Sequence, residues 1–110
     1  MSVRLDRINK LILRTFGEIL QTEAEMPIDV LVSVARVETT RNLRSATIWL
    51  SVFPVERAET TLKALEKNLY TLQGSLNRKL TFNPLPRIRL KLDYGAEHAE
   101  HIERRLKELT

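Results

Sequence analysis

The feature that most constrains this chain is a leucine seam too long for one helix in a domain of its size. Ala58, Leu62, Leu65, Leu69, Leu72, Leu76 and Leu80 step by four and three, the repeat of a single buried helical face. An unbroken helix from Glu56 to Thr81 would run roughly 39 Å at about 1.5 Å per residue. A chain of 110 residues folds to a radius of gyration near ~13 Å, so such a rod would span or overshoot the molecule. The geometry therefore predicts two helices with a bend near Asn68 to Thr71. Gly74 is a poor place for it, because Leu72, Leu76 and Leu80 keep helical phase across the glycine. Gly74 falls about 200° round the wheel from Leu72, on the outer face, where it costs the helix about 1 kcal/mol relative to Ala. The seam is also heptad-like, so a coiled coil is the alternative. With only about three repeats and sparse flanking charge, a face buried over a sheet is the better reading.

The sheet is legible in three stretches. Val30, Val32 and Val34 alternate, and the pattern resumes at Val37 after a spacing of three. One extra residue in a strand makes a β-bulge, expected near Ala35 and Arg36. Turn chemistry at Thr39 to Leu43, centred on Asn42, leads to a second strand. Ala46, Ile48, Leu50 and Val52 share one face of it, and Thr47, Trp49, Ser51 and Phe53 the other. The short connection makes the pair an antiparallel hairpin, ended by Pro54. After Pro84 and Pro86, Arg87 to Leu92 alternates most cleanly: Ile88, Leu90 and Leu92 to one side, Arg87, Arg89 and Lys91 to the other.

Two more helices complete the order. Ser2 can cap a first helix to about Glu23, with Leu5, Ile8, Ile12, Phe16 and Ile19 on one stripe and Arg4, Arg7, Lys10 and Arg14 roughly opposite. A last helix from about Gly95 carries Ala99, Ile102, Leu106 and Leu109 on its inner side. The order α-β-β-α-α-β-α lets the last strand return parallel to the second by a crossover. The expected fold is α+β, with a mixed three-stranded sheet and the helices on one face.

Composition excludes more than it selects. No apolar run approaches the ~20 residues needed to span a bilayer. MSVRLDRINK is charged from Arg4 and lacks the apolar core of a signal peptide, so a cytoplasmic, membrane-free protein is expected. There is no cysteine, hence no disulfide or thiolate chemistry. Three glycines are too few for a phosphate-cradling loop, and no nucleophile elbow, Walker or dinucleotide motif occurs. His98 and His101, three apart beside Glu97, Glu100 and Glu103, have no third convergent ligand and read as a solvent-facing helix side. Neither an enzyme, nor a cofactor, nor a small-molecule substrate is indicated.

Charge is the positive signal. The net charge is +4, yet between Glu66 and Asp93 six basic residues fall and no acidic one: Lys67, Arg78, Lys79, Arg87, Arg89 and Lys91. Such clustering attracts a polyanion, although lysines and arginines also serve simply to solvate a face. Trp49 should lie on the open sheet face beside Arg87, Arg89 and Lys91. That places a guanidinium near the indole, either as part of a base-stacking platform or as a stem covering a half-buried ring.

The order of elements and particular residues together resemble the bacterial ribosome-binding factor A family. The resemblance lies in Arg4 to Leu20 (RLDRINKLILRTFGEIL), Val32 to Val52 (VSVARVETTRNLRSATIWLSV), Leu65 to Leu76, Arg78 to Leu80 and Pro86 to Asp93 (PRIRLKLD), followed by an amphipathic helix. It implies a single KH-like (type II) domain over residues 1–110, of α-β-β-α-α-β order with an extra C-terminal helix. It implies a non-catalytic factor, without cofactor, that binds the immature small (30S) ribosomal subunit through 16S ribosomal RNA. Late maturation, processing of the precursor's 5′ end and a role in the cold come with it.

Members join their middle helices at a small-residue kink, Ala-x-Gly, in place of the usual GxxG loop. Here Asn68, Leu69 and Tyr70 occupy that kink, Asn77 stands where relatives often carry Gly, and Gln73, Thr81 and Asn83 replace commonly basic residues. The resemblance assigns RNA contact to Arg7, Arg41, Arg44, Arg78 and Lys79. The charge argument adds Arg87, Arg89 and Lys91. A monomer is expected. The competing class is a protein–protein adaptor or dimer that uses the leucine seam or the Trp49 face, and the third is a generic nucleic-acid binder.

Overall fold

A computed structural model of the chain describes residues 3–82 and 85–95. Helix α1 (Val3–Thr22) is followed by strands β1 (Leu31–Thr39) and β2 (Ser45–Phe53). After a short 3-10 turn at Val55–Arg57 come helices α2 (Ala58–Lys67) and α3 (Leu69–Lys79) and strand β3 (Arg87–Leu92). The predicted order α-β-β-α-α-β is therefore present. Ser2, Asn83 and the expected last helix with His98 and His101 lie outside the described residues.

The seam is broken where its length required. Helix α2 ends at Lys67 and α3 begins at Leu69, with Asn68 between them at φ −105 and ψ 15. That bridge-region conformation suits asparagine and needs no glycine. The backbone hardly loses a bond at the break, since Asn68 N–H donates to Leu65 O at 3.1 Å and Leu72 N–H to Asn68 O at 3.0 Å. A bend thus forms without Ala-x-Gly. Helix α3 runs straight through Gly74, as the phase of the leucines demanded.

β1 pairs antiparallel with β2, and β2 pairs parallel with β3, giving the order β1-β2-β3. The register between β1 and β2 shifts between Val34 and Arg36, which is the bulge the valine spacing predicted. The core fills the space between one sheet face and the helices. Ile12, Phe16 and Ile19 of α1, Ile48 and Leu50 of β2, Leu76 of α3 and Ile88 of β3 are all at most 1% exposed. Alternation in the strands and three-four spacing in the helices deliver these side chains to one layer. The seam residues are all buried or half-buried against this core. The seam is consumed inside the molecule and is not free for a coiled coil or an adaptor contact. Thr61 and Ser75, off the seam, are buried as well.

Candidate nucleic-acid interface

The basic residues predicted as a site fall into three places. Arg41 and Arg44 stand in the turn between β1 and β2, which is built by side-chain bonds. Asn42 Oδ1 accepts from Thr40 Oγ1 at 2.7 Å and from Arg44 N–H at 3.0 Å. Leu43 takes the left-handed conformation, φ 60. Both arginines are thereby held outward and exposed. Arg41 lines a shallow cleft with Arg4, Asp6 and Asn9 of α1. This cleft is anchored where Asn9 Oδ1 accepts from Thr39 N–H at 3.0 Å and from Thr39 Oγ1 at 2.6 Å. Arg7 is exposed on α1, as its helical phase implied.

Parallel pairing brings β3 into register with β2: Ser45 opposite Arg87, Thr47 opposite Arg89 and Trp49 opposite Lys91. Arg87, Arg89 and Lys91 are exposed; Arg89 and Lys91 stand beside Thr47 and Trp49 on the open sheet face, while Arg87, at the start of the strand, also borders α3. Arg87 N–H donates to Arg44 O at 2.9 Å, so the start of β3 is fastened to the hairpin turn. Arg44 and Arg87, far apart in sequence, consequently line one groove together with Gln73 and Asn77 of α3. Among the described residues none of Arg7, Arg41, Arg44, Arg87 and Arg89 makes an ion pair. Arg41 shares its cleft with Asp6 and Glu38 without an ion pair to either, and the charge of all five is available to a polyanion.

Arg78 and Lys79 are differently placed. They end α3, where cations complement the helix dipole. Arg78 Nη2 donates to Ser75 Oγ at 3.1 Å, and Ser75 Oγ donates to Glu23 Oε1 at 2.8 Å. Lys79 Nζ lies 3.8 Å from Glu23 Oε2. One carboxylate thus ties both to the end of α1, and only part of their charge remains for a ligand.

The Trp49 face departs from expectation in detail. The guanidinium near the indole comes from β1, not β3: Arg36 Cζ sits 4.3 Å from the ring centroid, while Lys91 Nζ is 5.4 Å from it. The cause is the bulge, which sets Arg36 opposite Trp49. Sequence reasoning located the bulge but omitted Arg36, whose position followed from it. Arg36 also bonds Glu38 at 3.0 Å and lies 3.8 Å from Asp93, so this patch is partly neutralised. Trp49 Nε1 is buried without a hydrogen-bond acceptor among the described residues. A ring already flanked by two cations is held by stem coverage and cation–π attraction, and offers a base less than a bare platform would.

Gln73 and Asn77, noted in the sequence only as departures from basic positions, also have defined tasks. Gln73 Oε1 accepts from Ile88 N–H at 2.8 Å, and its Nε2 donates to Pro86 O at 3.1 Å and Asn77 Oδ1 at 3.0 Å. An amide on α3 thus mimics a neighbouring strand along the free edge of β3. Among the described residues no cluster of three or more His, Asp or Glu could hold a metal. Among them, too, no helix is long and apolar enough to cross a membrane.

The model of the family "Ribosome-binding factor A" matches residues 4–106. The chain belongs to that family. It is 32% identical over 108 residues to the ribosome-binding factor A of Clostridium novyi (strain NT), covering 96% of this chain and 89% of the relative. It is 29% identical to that of Caldicellulosiruptor bescii, covering 97% and 84%. The crystal structure of ribosome-binding factor A from Thermus thermophilus superposes with a TM-score of 0.70 at 20% identity, covering 80% of this chain and 93% of that one. A solution structure of a putative ribosome-binding factor A from Thermotoga maritima gives 0.68 at 26% identity, covering 88% and 93%. A Thermus thermophilus ribosome-binding factor A fitted into a cryo-EM map of a 30S complex gives 0.63 at 24% identity, covering 76% and 88%. Within the ribosome-binding factor A fold, this chain keeps the α2–α3 break with Asn68 in place of the small-residue kink. It also uses Gln73 as a strand clamp.

Proposed function

We propose that this chain is a non-catalytic assembly factor that binds the small ribosomal subunit through its 16S RNA. On this reading it assists late maturation, including processing of the precursor's 5′ end, and acts in the cytoplasm as a monomer of one KH-like domain, residues 1–110. Family membership supports the partner. The observation that carries the mode of binding is the unpaired cationic rim formed where the hairpin turn meets the start of β3, at Arg41, Arg44, Arg87 and Arg89. Contacts there, like those assigned to Arg7, Arg78, Lys79 and Lys91, would be made mainly to phosphates. Each phosphate neutralised releases counterions, so affinity should fall steeply with salt.

Co-sedimentation with immature and mature small subunits on sucrose gradients tests this reading. The expected result is association with immature subunits at low salt and its loss as salt rises. Absence from small-subunit fractions at every salt concentration would overturn it.

One observation favours a second reading. Leu31 and Phe53 pair across β1 and β2 and are 69% and 71% exposed, close to an apolar contact patch for another protein. An adaptor of that kind would bind with little salt dependence, which the same gradients distinguish.

A further inference from the structure

We propose that the groove between the β1–β2 turn and the end of α3 is a binding site for single-stranded RNA, seating one unpaired nucleotide and its flanking phosphates. The proposal rests on the RNA-binding reading above and assigns that reading a site. Leu43, Arg44, Gln73, Asn77, Leu85 and Arg87 line the groove, whose volume is about 410 Å³. Pockets for small ligands run from ~300 to 1,000 Å³, so the space is large enough to seat one nucleotide.

Three chemistries meet there. Arg44 and Arg87 are exposed, both line the groove, are tied through the main chain by the Arg87 N–H bond to Arg44 O, and make no ion pair with a carboxylate among the described residues. Two such guanidinium groups are matched by phosphate oxygens, which accept charge-assisted and bidentate bonds. Asn77 supplies a neutral donor. Its Oδ1 is taken by Gln73 Nε2 at 3.0 Å, and Gln73 is itself fixed on Ile88 N–H and Pro86 O. That chain of bonds fixes the Asn77 amide, leaving its Nδ2 hydrogens without an acceptor among the described residues. They can donate to a base edge or a 2′-hydroxyl. Leu43, presented by its left-handed backbone, and Leu85 add half-buried apolar wall. A base inside a duplex has its faces covered by stacking, whereas an unpaired base can lay a face on such a wall. The combination selects a single strand.

Fluorescence anisotropy with a labelled, unstructured RNA decamer tests the site. The proteins compared are the wild-type chain, Asn77→Asp, the double variant Arg44→Gln with Arg87→Gln, and Lys63→Glu. Asn77→Asp keeps the acceptor that Gln73 uses and replaces the free donor with a negative oxygen, so the fold is preserved. Lys63→Glu changes net charge as much as the double variant, but on the exposed side of α2. The expected result is at least a tenfold weakening for Asn77→Asp and for the double variant, and less than threefold for Lys63→Glu, with unchanged circular dichroism. If the double variant unfolds, Asn77→Asp alone decides.

Groove variants that bind as tightly as Lys63→Glu would overturn the site. So would a duplex of equal length that binds as well as the single strand and is lost in parallel. A wild-type chain that ignores the decamer but still co-sediments with small subunits would overturn the site and leave the ribosomal reading standing. Absence from the subunits would overturn that reading itself.

Discussion

At Gly74 the helix α3 carries a residue that neither turns the chain nor admits a close neighbour. A Cβ built there would meet only Arg78 Nη1, at 3.4 Å, the far end of a flexible side chain. Replacing Gly74 with Ala removes the backbone entropy cost of a mid-helix glycine and displaces nothing rigid. Gly74→Ala is expected to raise stability by about 0.5–1 kcal/mol, read as a higher urea midpoint at unchanged slope. A lower midpoint would mean that Arg78 needs its place over the glycine. Ser75, the next residue, illustrates the opposite case. It is 2% exposed, and its hydroxyl joins Glu23 to Arg78, so a small polar residue next to the glycine holds the ends of two helices together.

Among the elements, β3 depends most on one distant side chain. It is an edge strand, and Gln73 satisfies the outward N–H of Ile88 and the carbonyl of Pro86. Gln73→Ala leaves both without that partner and frees the Asn77 amide; the expected loss is about 1–3 kcal/mol. Hydrogen exchange at Ile88 checks it: protection should fall there first, and unchanged protection would refute the clamp. The sequence revealed the elements themselves well and their couplings poorly. The break at Asn68 followed from helix length, and the bulge followed from the Val34–Val37 spacing. Both signals are local and periodic. The clamp of Gln73 on β3, the tie of Glu23 to Ser75 and the placement of Arg36 over Trp49 were not read. Each joins elements through a contact that no spacing rule encodes. Arg36 was the exception within reach, because an anticipated bulge already fixed its partner on β2.

On the scale of the whole molecule, the topology sorts charge. The acid-free stretch from Lys67 to Leu92 is one basic segment in the sequence, but the fold divides it. Arg78 and Lys79 are turned toward Glu23 and Lys91 toward Trp49, while Arg87 is fastened to Arg44 through the main chain. Of the unpaired cations that remain, Lys67 ends α2, whereas Arg87 and Arg89 stand in β3 beside the hairpin turn that carries Arg41 and Arg44. Segment charge was therefore legible, while the site it makes required the parallel register of β2 and β3. We propose that this end of the molecule meets 16S RNA. Site-specific photo-crosslinking on precursor small subunits tests it most directly, with a probe at Arg41 compared with one at Glu59 on the exposed side of α2. The expected result is crosslinking to 16S RNA from position 41 and little from position 59. Crosslinks to RNA that arise chiefly from position 59, or to protein alone from position 41, would contradict it.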